Sequence, residues 1–136
     1  MPAPDAAAEA ALIAAARAAR DRAIAPYSNF HVGAALLLSD GTIVAGCNIE
    51  NATYGLTMCA ERVALYKALS EGHRAFAAIA IVASAPRVTP PCGACRQLLW
   101  EYGGDLPIIL AADVGAISRT SLAALLPEPF GPDNLT

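Results

Sequence analysis

Three cysteines limit the folds open to this chain. Cys92 and Cys95, in Pro91-Cys92-Gly93-Ala94-Cys95, form the Cys-x-x-Cys pair that commonly supplies half of a zinc site. Cys59, in Met58-Cys59-Ala60-Glu61-Arg62, offers a third thiolate from a distant segment. Both segments read as helix starts. Helix N-termini present free N–H groups and partial positive charge, which favour thiolates. A fold that lets the three sulfurs share a metal must therefore bring two helix N-termini to one point. Three protein ligands leave the fourth tetrahedral position open, as in catalytic rather than structural zinc sites. The alternative, a structural zinc domain, requires a fourth protein ligand. The two histidines, His31 and His73, have no ligand-like spacing. Cys47 reads as a thiol buried in a strand, and His31 as a loop residue.

Glu61 stands two positions after Cys59. On a regular helix residues i and i+2 point about 200° apart, so both reach one point only if Cys59 caps the helix from outside it. Placed so, Glu61 is the candidate for proton transfer, since a nearby carboxylate can take a proton from a zinc-bound water and pass it to a leaving group. Three thiolates on one Zn2+ leave a net negative charge. Arg62, at i+3 from Cys59, can lie over that sulfur and offset it.

The rest of the chain reads as alternating helices and buried strands. A helix is expected over residues 6–24, ended by Pro26. Strands are expected over 32–38 and 42–48, joined at Ser39-Asp40-Gly41. A polar loop over 49–57 leads to a helix over 59–70, stopped by Gly72. Then come a strand over 75–83, a Pro-rich connection, and a helix over 93–102. A strand over 106–111, a short strand over 116–119 and a short helix over 121–126 complete the pattern. The continuous apolar runs of several strands suit a sheet covered on both faces. The expected fold class is α/β, a mixed sheet between helical layers. One domain over 1–136 is expected, with flexible tails at 1–5 and 131–136.

Composition narrows the partners. The chain has 136 residues, 56% of them hydrophobic and only 15% charged. No apolar run approaches the roughly 18 residues of a membrane-spanning helix, so the apolar surplus points to surface buried between subunits. The net charge of −3 and the lack of a basic patch argue against a nucleic-acid polymer as substrate. The N-terminus lacks the features of a signal peptide, which points to the cytoplasm, where thiols stay reduced.

Cys59-Ala60-Glu61 with Pro91-Cys92-Gly93-Ala94-Cys95 resembles the zinc nucleoside deaminases, in the branch with three cysteine ligands. Pro26-Tyr27-Ser28-Asn29-Phe30, Val32-Gly33-Ala34-Ala35, Gly46-Cys47-Asn48-Ile49-Glu50-Asn51-Ala52, Cys95-Arg96-Gln97 and the ending Leu125-Leu126-Pro127 with Phe130 are similar to the small homotetrameric cytidine deaminases. The similarity runs from about Ala10 to Phe130. It implies a three-layer α/β/α fold and one Zn2+ per chain on Cys59, Cys92 and Cys95. It implies Glu61 as the catalytic carboxylate, and hydrolytic deamination of cytidine and 2′-deoxycytidine for pyrimidine salvage. It implies that Asn48 and Glu50 bond the ribose hydroxyls, that Phe30 packs on the base, and that the Ala60 backbone meets the pyrimidine edge. Tyr54 and Phe130 would reach a neighbouring subunit's pocket in a homotetramer. A deaminase of a cytosine-containing antibiotic such as blasticidin S is the nearest enzymatic alternative. The Asn48–Asn51 run argues for the nucleoside.

Overall fold

The computed structural model describes residues 2–136. Five strands, β1 (Val32–Leu38), β2 (Ile43–Cys47), β3 (Phe76–Ala83), β4 (Pro107–Ala111) and β5 (Ile117–Ser121), form one sheet in the order β2-β1-β3-β4-β5. Only β3 and β4 pair in parallel; the other pairs are antiparallel. The sheet is therefore mixed, as expected of the α/β class. α1 (Ala6–Arg20) covers one face. α2 (Ala60–Ser70), α3 (Gly93–Gly103) and the short α4 (Leu122–Leu125) cover the other.

Side-chain size sets the spacing of the layers. Toward α1 the sheet presents mostly small residues, Ala35, Ala78 and Ala80, with Val82 and Ile109, against Leu12 and Ala16 of the helix. Gly33 takes this closeness furthest: a Cβ there would lie 1.9 Å from the Ala16 carbonyl oxygen. Toward α2 and α3 the sheet presents larger groups, including Leu36, Ile79, Ile81, Ile108 and Leu110. Gly46 of β2 is the exception on that side, where a Cβ would meet the Ala64 backbone nitrogen at 2.6 Å. β1 is buried along nearly its whole length, as its unbroken apolar sequence implies.

α1 is shorter than its alanine-rich sequence suggests. It ends at Arg20 with Asp21 as its C-cap, four residues before the expected end. The backbone beyond is needed elsewhere. Ile24 N–H donates to the Asn48 carbonyl at 3.0 Å, and Glu50 N–H donates to the Ile24 carbonyl at 2.8 Å. This pairing outweighs helix propensity and ties the loop that follows α1 to the exit of β2. At the C-terminus, Pro132–Leu135 make a 3-10 turn.

Register places several loops at one end of the sheet. Val32 at the start of β1 lies opposite Ala83 at the end of β3, and Gly33 lies opposite Cys47 at the end of β2. The segment entering β1, the segment leaving β2 and the loop leaving β3 therefore meet there, together with the N-termini of α2 and α3.

Candidate zinc centre and its pocket

Cys59 and Cys92 are the N-cap residues of α2 and α3, both with extended backbone (φ −70°, ψ 151° and φ −65°, ψ 167°). Cys59 thus sits outside the regular helix, as joint access of Cys59 and Glu61 to one point requires. Cys95 lies one turn into α3 and is fully buried. The Cys59 and Cys92 sulfurs are 3.8 Å apart, and those of Cys92 and Cys95 are 3.3 Å apart. All three lie within 4.8 Å of one another. Zinc–sulfur bonds of about 2.3 Å in a tetrahedron imply sulfur–sulfur edges of about 3.8 Å, so the donor set fits zinc closely. No other residue completes a cluster of this kind among the described residues. The set is three soft sulfur donors, which would leave one tetrahedral position of a bound zinc for a further ligand.

Protons are shared unequally among the sulfurs. The nearby Cys95 thiol, the Arg62 guanidinium and the Cys92 thiol together bring Cys59 down to about 5. The closeness of Cys59, with burial, drives Cys95 up. Arg62 Nη2 is 3.4 Å from the Cys59 sulfur, and its Nε is buried with no hydrogen-bond partner among the described residues. This guanidinium makes no salt bridge with Glu50 or Glu61 among the described residues. It sits against the sulfurs as a counter-charge.

Among the described residues Glu61 is one of two buried polar or charged residues, with 5% of its surface exposed. Burial pushes its carboxyl above the ordinary range, and the negative charge of Cys59 adds to that. A carboxyl raised in this way holds a proton more readily than one in water, which suits it to accept and pass on a proton. Glu61, Cys59 and Cys92 line a cavity of about 180 Å³ with Phe30, Asn48 and Ala60. Thr57, Met58, Thr89 and Pro90 also line it, and sequence reasoning did not single them out. A signal was available, because residues entering two caps that share a site must flank that site. Val32 and Ile81 line it too, but they read as ordinary strand residues.

Asn48 and Glu50 are more occupied than their surface-loop look suggests. The Asn48 side chain accepts from Val32 N–H at 2.9 Å and donates to the Phe30 carbonyl at 2.8 Å. It closes the gap between the end of β2 and the start of β1. Asn48→Ala is expected to leave two backbone groups unpaired and to destabilise the zinc-loaded protein by about 1–3 kcal/mol. Urea unfolding of the two proteins at equal zinc content checks this. Glu50 lies outside the cavity, in an adjoining hollow with Tyr27, Ser28, Tyr54 and Thr57. Thr57 lines both spaces.

Tyr54, in a 3-10 turn (Tyr54–Leu56), is 73% exposed and packs edge-on against Tyr27 at 5.4 Å. Phe130 is exposed and lines neither space; its carbonyl accepts from Gln97 Nε2. His31 pairs with Ser84 through backbone and hydroxyl bonds of 2.9 and 3.0 Å. Cys47 is half-buried, and its sulfur lies 3.6 Å from the Arg22 carbonyl, away from the metal cluster.

Comparison with known proteins agrees with this geometry. Residues 7–110 match the cytidine and deoxycytidylate deaminase zinc-binding region. Over 126 residues the chain is 50% identical to a cytidine deaminase of Sporosarcina psychrophila, covering 92% of this chain and 93% of the relative. Its fold is similar to that of a cytidine deaminase from Burkholderia pseudomallei, with TM-score 0.86, 52% identity and coverage of 89% and 98% of the two chains. It is also similar to a cytidine deaminase from Mycobacterium tuberculosis, with TM-score 0.78, 41% identity and coverage of 90% and 97%. With a donor set that fits zinc and a buried carboxylate beside it, the chain belongs to the zinc-binding cytidine and deoxycytidylate deaminase family, a family of hydrolytic deaminases.

Proposed function

We propose that this chain hydrolyses cytidine and 2′-deoxycytidine to uridine and 2′-deoxyuridine with release of ammonia. The observation that carries this reading is the burial of Glu61 in a small pocket next to three convergent thiols. When bound by Cys59, Cys92 and Cys95, zinc makes a water molecule acidic enough to act near neutral pH. The chain supplies the rest. Glu61 takes one proton of the attacking water and places it on the ring N3, then takes the proton of the new C4 hydroxyl and gives it to the departing amine. The C4–N bond breaks as the C4 carbonyl forms, so one water enters and one ammonia leaves. Helix N–H groups and Arg62 offset the charge of the thiolates. Phe30 packs on the base, and the Ala60 backbone meets its edge.

Asn48 and Glu50 select the sugar. A site that pairs hydroxyls through buried polar groups rejects analogues that lack them. The Asn48 amide has hydrogen-bonding capacity beyond its two backbone partners. The substrate is a small nucleoside rather than a nucleic-acid polymer, in keeping with the net charge of −3. Ile24, Tyr27, Tyr54, Leu56 and Phe130 are large hydrophobic groups left exposed on the chain. They favour a homotetramer in which Tyr54 and Phe130 complete a neighbour's site. The chain acts as a single domain in pyrimidine salvage in the cytoplasm. No helix among the described residues is long and apolar enough to cross a membrane.

The test is turnover by purified, zinc-loaded protein of cytidine, 2′-deoxycytidine and blasticidin S. The two nucleosides are expected to react at least about 100-fold more efficiently than the antibiotic, about 3 kcal/mol of discrimination. Preference for blasticidin S would reassign the enzyme to the antibiotic.

A further inference from the structure

One hydroxyl in the hollow beside the zinc pocket has no part in the mechanism above. Ser28 Oγ donates to Glu50 Oε2 and accepts from Phe30 N–H at 3.0 Å. The other Glu50 oxygen, Oε1, accepts from Tyr27 N–H at 3.0 Å and from Ser28 N–H at 3.1 Å. Two consecutive residues thus hold one carboxylate with three donors. A carboxylate has about four acceptor positions, and the one left over is on Oε2.

The two backbone bonds fix the place of Oε1 but leave the carboxylate free to pivot about it. The serine hydroxyl adds the second fixed point. Its own direction is set as well. The Phe30 N–H occupies the acceptor side of the hydroxyl, which turns its hydrogen toward Glu50. We propose that Ser28 is a positioning residue for substrate selection, one that sets the rotation of the Glu50 carboxylate so that the free acceptor position on Oε2 meets a sugar hydroxyl. The Ser28 hydroxyl also holds the Glu50 carboxyl below its ordinary range. The proposal rests on the nucleoside reading above.

The bond to Phe30 matters less to the substrate. Phe30 stays held through its carbonyl by the Asn48 amide at 2.8 Å when the Ser28 hydroxyl is removed. Loss of Ser28 Oγ therefore falls on the sugar end of the site rather than on the base.

The experiment uses zinc-loaded wild-type, Ser28→Ala and Ser28→Thr proteins with cytidine and 2′,3′-dideoxycytidine as substrates. Zinc content and melting temperature are measured beside the kinetics. For cytidine, Ser28→Ala is expected to raise KM by about 10- to 100-fold and to change kcat by less than about threefold. For dideoxycytidine, whose sugar lacks both ring hydroxyls, kcat/KM is low in the wild type and falls by only a few-fold. Ser28→Thr, which keeps the hydroxyl at an exposed position, restores the cytidine KM. Equal losses on the two substrates, no loss on cytidine, or an Ala variant that unfolds or sheds zinc would each make Ser28 a structural residue only and overturn the proposal. A wild-type protein that fails to turn over cytidine would overturn the nucleoside reading itself, which is a separate result.

Discussion

Glu61→Gln is expected to retain zinc and fold while turnover of cytidine falls by about 10²–10⁴. Gln has the shape of the residue it replaces but cannot carry a proton between water, ring nitrogen and amine. Glu61 is 5% exposed, so burying a neutral amide there costs no more than burying a carboxyl that desolvation already disfavours in its ionised form. The variant therefore separates chemistry from folding. The measurement is kcat at saturating cytidine with zinc counted in the same sample. A kcat within tenfold of wild type would remove Glu61 from the proton path.

Cys92→Ala is expected to lose nearly all its zinc and, with it, all measurable activity. Cys92 is the best of the three ligands to test because it is exposed, whereas Cys95 is fully buried. Truncating Cys95 would open a cavity and destabilise the core whether or not a metal was lost. At Cys92 a fall in stability reports the metal instead. Zinc binding is coupled to folding wherever its ligands come from separate segments. The N-caps of α2 and α3 are such segments, and the melting temperature should fall along with the zinc. Stoichiometric zinc in Cys92→Ala would show that Cys92 is not a ligand.

Much of this arrangement is legible in the amino-acid sequence, because the signals are short-range. Cys92 and Cys95 are a spacing, and the cap position of Cys59 follows from where Glu61 has to reach. The hairpin turn at Ser39-Asp40-Gly41 announces itself, with Gly41 at φ 92° and Asp40 Oδ1 bonded to Thr42 N–H at 2.9 Å. Strands such as β1 and β3 stand out as apolar runs. The order of the strands does not, because one apolar run is as good a neighbour as another until the connections are built. The early end of α1 was hidden because alanine propensity is local, while the bonds of Ile24 to Asn48 and Glu50 are not.

The pocket shows the same division. Motif resemblance points to Asn48 and Glu50 as sugar contacts. It says nothing of the backbone they hold: Val32 and Phe30 for Asn48, Tyr27 and Ser28 for Glu50. Hydrogen bonds from a side chain to a distant backbone leave no periodicity to read. They appear only when register has put the end of β2 beside the start of β1.

The account turns on a zinc ion held by three thiols with Glu61 beside it, acting on cytidine. The most direct test is an ultraviolet assay of the purified protein on cytidine, with the metal in the same sample counted. The expected result is conversion of cytidine to uridine by protein carrying about one zinc per chain, abolished by chelation and restored by adding zinc back. Protein that holds zinc at that ratio and leaves cytidine unchanged would contradict it, as would full activity in protein stripped of metal.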